Sequence, residues 1–320
     1  MKIIDFDKRY SDQVIDLFLD NYLKLNKKFN NIFPSSINMK EQISNKLFSL
    51  SEENPLLLCL EKDEIIGYMG GYVFSNERHG KAVYIPEWAN CSVSKNSNHI
   101  YEILFSRLSL ILNKREIEKY IISVLITKNS VYSTLNLLGF GCFVIDVIKD
   151  LRNLIVTEND SNNIRKATID DVDVLYNFKL KLSKYLSKAP IFLPFLEIPL
   201  KKEIRDQIEK DEFPFFIYSY KNQDVGFIKT SKENNGASYI ARDPKTFSIT
   251  GAFLDKEFRH HGFGKELLDR VFLWGLENNY IGCETDFESS NIPGRIFWTR
   301  NFEPFSYSFS KILDKGVFKK

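Results

Sequence analysis

The segment 259–265, with the sequence RHHGFGK, combines residue types that bind phosphate groups. It lies between an apolar run at 249–254 and a segment whose apolar residues recur at helical spacing. Main-chain N–H groups at a helix N-terminus lack intrahelical partners and carry partial positive charge. The two glycines remove side chains that would keep a phosphate away from these groups, and the flanking Arg and Lys add charge. The pattern predicts a phosphate-binding loop, with a plain strand-to-helix turn as the alternative.

The common nucleotide motifs fit this segment poorly. A Walker loop needs a glycine five residues before Gly264, where Arg259 stands, and the residue after Lys265 is Glu266 rather than Ser or Thr. The dinucleotide fingerprint needs a third glycine at the position of Leu267. Neither type of nucleotide site is therefore predicted.

Two motifs in the second half resemble those of the GNAT N-acetyltransferase superfamily. The stretch FLDKEFRHHGFGKELL resembles a strand, an acidic turn, the pattern (R/Q)-x-x-G-x-(G/A) and a helix, and NIPGRIFWTRNF resembles the second motif about thirty residues later. The residues that match are Arg259, Gly262, Gly264, Asn291, Gly294 and Phe297. Because the two motifs occur in the family's order, the second half is identified as a GNAT domain.

The resemblance implies acetyl-CoA as co-substrate, with its diphosphate on the 259–265 loop and its pantetheine arm along the preceding strand. Main-chain groups of Ala252 and Leu254 match the family positions that contact the arm and the thioester carbonyl. In the family these groups are available because this strand splays from the next one. The implied CoA-binding residues are Ala252, Phe253, Leu254, Arg259, His260, His261, Gly262, Phe263, Gly264, Lys265 and Asn291. For Asn291, which precedes a Pro-containing helix start, helix capping is an equal alternative.

The catalytic residues are less well defined than the CoA site. Trp298 stands where the family often has a Tyr that protonates the departing thiolate, and an indole N–H is not a useful acid. Glu284 and Asp286 lie two residues apart on one face of a predicted strand, and they are candidates for the base that deprotonates the amine. The alternative is that both line a solvated sheet face. The sequence indicates no metal site.

The chain of 320 residues is long enough for two domains, and its two halves repeat one order of elements. Each half has a strand and an amphipathic helix, then a β-hairpin, a helix running into a strand, and a short helix with a last strand. The predicted fold is α/β (α+β), with two tandem GNAT-like domains at 1–158 and 159–320, each a mixed, mostly antiparallel sheet flanked by helices. The first half has CSVSKNSNH, without glycine, where the phosphate loop is expected, so we interpret it as a degenerate copy.

Composition limits the remaining possibilities. The formal net charge is +2, with 44 basic and 42 acidic residues, so a nucleic-acid partner is not expected. The four cysteines are widely spaced, the N-terminal segment has acidic residues where a signal peptide needs an apolar core, and the apolar runs are short. These features favour a cytoplasmic protein without a membrane partner. The predicted function is acetyl transfer from acetyl-CoA to an amine of a small molecule or peptide. A non-catalytic acyl-CoA-binding or regulatory protein is the alternative.

Overall fold

The structure is a computed structural model that describes residues 1–76, 79–126, 131–155, 163–195, 200–232 and 238–314. It is a mixed α/β protein whose strand pairs are mostly antiparallel. The first half of the chain forms, in order, β1 (Lys2–Asp5), α1 (Ser11–Lys28), α2 (Ser36–Glu53), β2 (Leu56–Glu61), β3 (Glu64–Gly70), β4 (Tyr72–Asn76), β5 (Gly80–Ile85), β6 (Asn90–Ser92), α3 (Ser97–Asn113), β7 (Lys119–Leu125), α4 (Tyr132–Leu137) and β8 (Gly141–Asp150). The second half forms β9 (Ile164–Lys166), α5 (Val172–Leu186), α6 (Lys201–Lys210), β10 (Phe215–Tyr220), β11 (Gln223–Ser231), β12 (Thr246–Leu254), α7 (Phe263–Glu277), β13 (Gly282–Glu288), α8 (Ile292–Asn301) and β14 (Glu303–Ile312).

The predicted repeat of elements is confirmed in both halves. Both predicted hairpins close through two-residue turns in which each central residue has a positive φ, 51° and 65° at Lys62 and Asp63, and 50° and 61° at Lys221 and Asn222. Such type I′ turns match the twist of the paired strands. Two helices, α2 and α6, lie in segments for which the sequence pattern predicts no element.

The chain divides into two compact units that do not follow its two halves. The first unit contains Met1–Asp146, Ser238–Ala241 and Pro304–Lys320, and the second contains Val147–Ala237 and Arg242–Glu303. The predicted boundary between 158 and 159 lies outside the described residues and stays a prediction.

In the first unit, β1, β2, β3 and β6 form an antiparallel sheet in the order β1-β2-β3-β6. A second sheet contains β4, β5, β7 and β14 as hydrogen-bonded neighbours in that order, and its strands β5 and β7 are parallel. The last strand, β14, pairs antiparallel with β7 from Ser306 opposite Leu125 to Ile312 opposite Lys119. Phe309 of β14 is buried in the same core cluster as residues of α3 and β7. The C-terminal strand thus completes the unit formed by the N-terminal part of the chain.

The second unit has the strand order β13-β12-β11-β10-β9, in which only β12 and β13 are parallel. One face of β10 packs Phe215 and Ile217 into a core cluster with α5 and α6. Because side chains alternate along a strand, Phe216 and Tyr218 point to the other face, where α7 lies. Helices therefore cover both faces of this sheet and fix the position of the 259–265 segment between β12 and α7.

Candidate active site

The loop between β12 and α7 presents main-chain N–H groups at the start of a helix. Gly262 is the N-cap residue of α7, in the left-handed conformation with φ 90°. Its carbonyl oxygen accepts hydrogen bonds from the N–H groups of Lys265 at 2.8 Å and Glu266 at 3.1 Å. Among the described residues, the N–H groups of Phe263 and Gly264 have no acceptor. The loop therefore provides the unpaired donors that the sequence predicts for an anion.

Space around the two glycines is unequal. A Cβ built on Gly262 would meet only the Glu266 carboxylate oxygen Oε1, at 3.8 Å. A Cβ on Gly264 would lie 3.4 Å from the ring of Phe297 on α8. A ligand thus has open access to the backbone at Gly262, whereas Gly264 allows α8 to pack close to α7.

The side chains of the loop are divided between packing and solvent. The Phe263 ring stacks on Tyr218 with centroids 4.6 Å apart, and this contact anchors the first turn of α7 to β10. Lys265 forms an ion pair with Asp269 of the same helix. His260 and His261 are exposed. The loop is therefore held by its aromatic residue, while its histidines remain accessible to a ligand.

Strands β12 and β13 separate beside this loop, as the family resemblance implies. Their parallel pairing covers only Thr246 to Ser248 of β12, opposite Gly282 to Glu284 of β13. Beyond it, the Thr285 hydroxyl donates to the Ile249 carbonyl at 2.9 Å. The register between β11 and β12 shifts at Thr250, the extra residue of a β-bulge in β12. From this bulge to Leu254, the described part of the chain pairs β12 with β11 alone.

The register of β12 shows which main-chain groups face the gap. The Asp255 N–H donates to the Val225 carbonyl, so hydrogen-bonded pairs fall on alternate residues, and the next one is Phe253 with Phe227. The N–H and C=O groups of Ala252 and Leu254 consequently point away from β11, toward the side where β13 has diverged. These are the two residues whose main-chain groups the family resemblance selects.

Arg259 has a structural contact that sequence reasoning did not anticipate. Its Nε donates to the Leu254 carbonyl at 2.9 Å, and its guanidinium carbon lies 4.9 Å from the centre of the Tyr185 ring. The Tyr185 hydroxyl donates to Asn291 Oδ1 at 2.9 Å, and the same oxygen accepts the Gly294 N–H at 3.3 Å. Asn291 therefore caps α8, and a continuous set of contacts joins the end of β12, the loop, α5 and α8.

Glu284 and Asp286 lie in different surroundings on β13. Glu284 is 2% exposed and accepts the Ser248 hydroxyl at 2.6 Å, within the part of β13 that is paired with β12. Asp286 is partly buried and lies beyond that part, where the two strands have diverged. Glu284 thus does not line a solvated face, whereas Asp286 is placed beside the gap.

Trp298 is part of the packing of α8. It is 8% exposed, and its ring lies 4.9 Å from Phe297 and 5.6 Å from Phe302 between centroids. The structure thus places at this position a buried aromatic side chain with no acidic group.

Tyr185 and Ser248 are site residues that sequence reasoning missed. Tyr185 lies 106 residues before its partner Asn291, and Ser248 lies 36 residues before Glu284. Neither belongs to a short motif, so only the packed fold reveals these contacts.

The matching loop of the first unit keeps the backbone turn without glycine. Helix α3 begins at Ser97 after Asn96, whose φ is 59°. Asn adopts the left-handed conformation more readily than most residues, so the turn forms although the glycine is absent. The interpretation that this half does not bind CoA in the family's manner stays a prediction.

The described residues contain no group of three or more His, Cys, Asp or Glu side chains placed to hold a metal ion. None of the helices that the structure describes combines the length and the apolar character that crossing a bilayer requires.

The model of the acetyltransferase (GNAT) family matches residues 184–302. A GCN5-related N-acetyltransferase from Sphaerobacter thermophilus superposes with a TM-score of 0.57 and 11% identity, covering 97% of this chain and 95% of that chain. A GCN5-related glucosamine N-acetyltransferase region of a fungal multi-domain GH3 β-N-acetylglucosaminidase superposes with a TM-score of 0.52 and 11% identity, covering 97% of this chain and 38% of that chain. No curated protein matches the sequence.

Proposed function

We propose that the chain is an N-acetyltransferase with two GNAT-like domains that uses acetyl-CoA, because the GNAT family model matches residues 184–302 and the whole chain shares its fold with a GCN5-related N-acetyltransferase. The family and the fold support acyl transfer in general. One observation supports the use of acetyl-CoA in particular. Unpaired N–H groups at the start of α7 lie next to β12, and the edge of β12 becomes free where β13 diverges from it. The proposed acceptor is an amine of a small molecule or peptide.

The residues present fit acetyl-CoA. Gly262 leaves the backbone open to a diphosphate, and the unpaired N–H groups of Phe263 and Gly264 together with the helix dipole favour an anion there. The edge of β12 offers peptide groups at Ala252 and Leu254 that can bind the amide-bearing arm as a further strand would. We expect the exposed His260 to contact the phosphates.

Main-chain groups of β12 would hold the reacting carbonyl. Acetyl-CoA supplies an activated thioester, whose carbonyl carbon the deprotonated amine attacks directly. The Leu254 carbonyl already accepts Arg259, so the pantetheine amide would donate to the Ala252 carbonyl, and an N–H group of the same edge would stabilise the oxyanion. Arg259 thereby positions the end of β12 as well as adding positive charge to the loop.

Asp286 is the better candidate for the base that deprotonates the incoming ammonium. It lies where the strands have diverged, whereas Glu284 is buried and bound by Ser248. Since Trp298 has no acidic proton to donate, the thiolate would leave with a proton from water. Cys283 is buried, which raises its thiol pKa well above the ordinary value, and this supports direct transfer over an acyl-cysteine intermediate.

The proposal is tested by combining calorimetry with a thiol-release assay. Titration with acetyl-CoA should show one binding site per chain, and a panel of primary amines should yield one amine that releases free CoA thiol well above the rate without acceptor. Absence of acetyl-CoA binding at micromolar to millimolar concentration would contradict the proposal.

The second candidate function is a non-catalytic acyl-CoA-binding or regulatory protein. The buried Trp298 at the position of the family Tyr favours it, as does the Ser248 hydroxyl bound to Glu284. Tight acetyl-CoA binding without thiol release above background, across polyamines, amino acids, aminoglycosides and peptides, would select this candidate. A cytoplasmic location and the absence of a nucleic-acid partner stay predictions from the sequence.

A further inference from the structure

A polar cavity lies within the first unit, between α1, β6, α3 and β7. Its volume is about 30 Å³, enough for one or two water-sized groups. The lining residues are Phe18, Asn21, Glu87, Asn90, Cys91, Ser92, Ser97, Tyr101, Val124, Leu125 and Val131. All are buried except Asn21 and Leu125, which are partly exposed. None of these residues belongs to the acetyl-CoA site proposed above.

Glu87 supplies a buried carboxylate to this cavity. It is 2% exposed, and its Oε1 accepts the Ile240 N–H at 3.1 Å. Among the described residues, its Oε2 has no hydrogen-bond partner. Burial raises the pKa of Glu87, and hydrogen bonds from main-chain N–H groups and from the Ser238 hydroxyl oppose this rise. A buried carboxylate oxygen without a donor is costly, so a donor-bearing ligand would be bound favourably.

The described lining residues of the cavity supply no positive charge to balance the Glu87 carboxylate. No Lys, Arg or His is among the lining residues that the structure describes. Burial raises the pKa of the Cys91 thiol to about 12, so Cys91 adds no second negative charge at neutral pH. The cavity therefore has a single ionisable acid and a neutral remainder.

The neutral groups are mostly paired with one another, and their oxygens keep accepting capacity. Both amide hydrogens of Asn90 are used, on the carbonyls of Pro86 at 2.7 Å and Ser123 at 2.9 Å. The Tyr101 hydroxyl donates to Asn90 Oδ1 at 2.7 Å. The hydroxyls of Ser92 and Ser97 share one hydrogen bond of 2.8 Å. Each hydroxyl oxygen retains a lone pair, so the wall offers acceptors to a ligand with several N–H donors.

From this arrangement we propose that the cavity binds the ammonium group of a primary alkylamine. An ammonium carries three donors and one positive charge, which match one unpaired carboxylate oxygen and the surrounding hydroxyl oxygens. Phe18, Val124 and Val131 give the cavity an apolar side for the first methylene groups. The small volume favours a compact ammonium group over the larger guanidinium and quaternary ammonium groups. The site lies in the first unit and does not depend on the proposed acetyl transfer.

The test uses methylammonium and ethylammonium as probes on the full-length protein. Saturation-transfer difference NMR should show saturable binding of both ions, and ethanol, a neutral molecule of similar size, should bind at least tenfold more weakly. Glu87→Gln should weaken ethylammonium binding tenfold or more, because a hydrogen bond to a charged acceptor is lost while the amide oxygen can still accept the Ile240 N–H. Acetyl-CoA affinity, measured on the same samples, should not change.

Asp146→Asn is the matched control. Asp146 is also 2% exposed in the first unit and accepts the Ser238 N–H at 3.2 Å, but it does not line the cavity. This variant should bind ethylammonium as the unchanged protein does. If Glu87→Gln fails to fold, Val131→Leu provides a second variant, since the larger side chain fills the cavity and should abolish binding while Glu87 is intact.

Three results would overturn the proposal. These are no ethylammonium binding by the unchanged protein, equal binding by Glu87→Gln, or displacement of the probe by sodium at equal concentration. The last result would show that the cavity takes any monovalent cation. If the unchanged protein does not bind acetyl-CoA, that result contradicts the proposed function but not the ammonium site.

Discussion

Gly262 is the residue on which the CoA site depends most. It has φ 90° and no neighbour closer than 3.8 Å to a Cβ built on it. Gly139 offers a matched comparison, because its φ is 82° and the nearest atom to its Cβ is the flexible Lys311 Nζ at 3.6 Å. The backbone cost of a side chain is therefore similar at the two positions, about 1–2 kcal/mol.

We expect Gly262→Leu to weaken acetyl-CoA binding tenfold or more, because the side chain would occupy the position proposed for the diphosphate. Gly139→Leu should lower the melting temperature by a similar amount and leave the affinity unchanged. Calorimetric titration of both variants gives the comparison. Equal affinities in the two variants would contradict the assignment of the loop.

The role of Asp286 as general base can be tested by comparison with Glu288, another carboxylate of β13. Asp286→Asn should lower kcat about 100-fold with the active amine, with little change in the KM for acetyl-CoA, because a general base acts on the acceptor. Glu288→Gln is the control, since residue 288 is on the same face of the strand. The pH profile of kcat should lose its acidic limb only in Asp286→Asn. An undiminished kcat in that variant would show that Asp286 is not the general base.

Lys179 of α5 makes stability depend on pH. Burial lowers its pKa from 10.5 to about 8, and the neighbouring Lys229 adds to the effect. Because the unfolded chain holds this proton up to a higher pH than the folded protein does, the folded state is penalised at pH 7 and recovers stability between pH 8 and 10.5. The penalty at pH 7 is on the order of 3 kcal/mol.

Lys179→Met should therefore raise the free energy of unfolding at pH 7, and its advantage over the unchanged protein should shrink as the pH rises toward 10. Urea unfolding at pH 7 and pH 10 measures the difference. An advantage that is constant with pH would show that apolar packing, rather than charge, is the cause.

Contacts of Tyr185 connect three elements, α5, the loop and α8. The Tyr185 ring supports Arg259, and its hydroxyl binds Asn291, which caps α8. Removing the hydroxyl keeps the ring and so separates the two contributions.

Tyr185→Phe should cost about 1 kcal/mol of stability, and Asn291→Ala should cost about 0.5–2 kcal/mol because the cap is lost. The double variant should cost less than the sum, since both remove one hydrogen bond. Tyr176→Phe on the same helix is the control and should be near neutral. Urea unfolding of the four proteins gives the coupling energy, and strictly additive effects would show that the two side chains act independently.

Sequence patterns predicted most elements because each depends on local spacing. The hairpins follow from turn residues between apolar runs, and the loop follows from glycines before an amphipathic helix. The contact of Arg259 with Leu254 and the separate surroundings of Glu284 and Asp286 were not predicted. These depend on where a bulge at Thr250 falls and where two parallel strands part, and neither has a local signal.

In the whole molecule, β14 belongs from Pro304 onward to the first unit, far in sequence from the strands with which it packs. No sequence pattern predicts which strand pairs with which across a long separation. The hydroxyls of Ser123 and Ser308, 185 residues apart, lie 2.7 Å from each other in the interior. Pairing of this kind is set by the packing of two apolar faces rather than by neighbouring residues.

Phe309→Ala should destabilise the first unit by about 3–5 kcal/mol, because a large buried side chain leaves a cavity. Hydrogen exchange should then rise in β7, the strand that β14 pairs with. Phe302→Ala, seven positions earlier in the second unit, should instead raise exchange in α7 and α8, since its ring packs on Phe272 and Trp298. Unchanged exchange in β7 after Phe309→Ala would contradict the pairing.

The pairing of β7 with β14 has a consequence during synthesis. At about 5–20 residues per second, the ribosome takes roughly 10–40 s to extend the chain from Ser123 to Ser308. Throughout that interval the nascent β7 has an edge whose partner does not yet exist, which is a template for mispairing with other chains. The order of translation thus leaves the edge of β7 open to mispairing until β14 emerges.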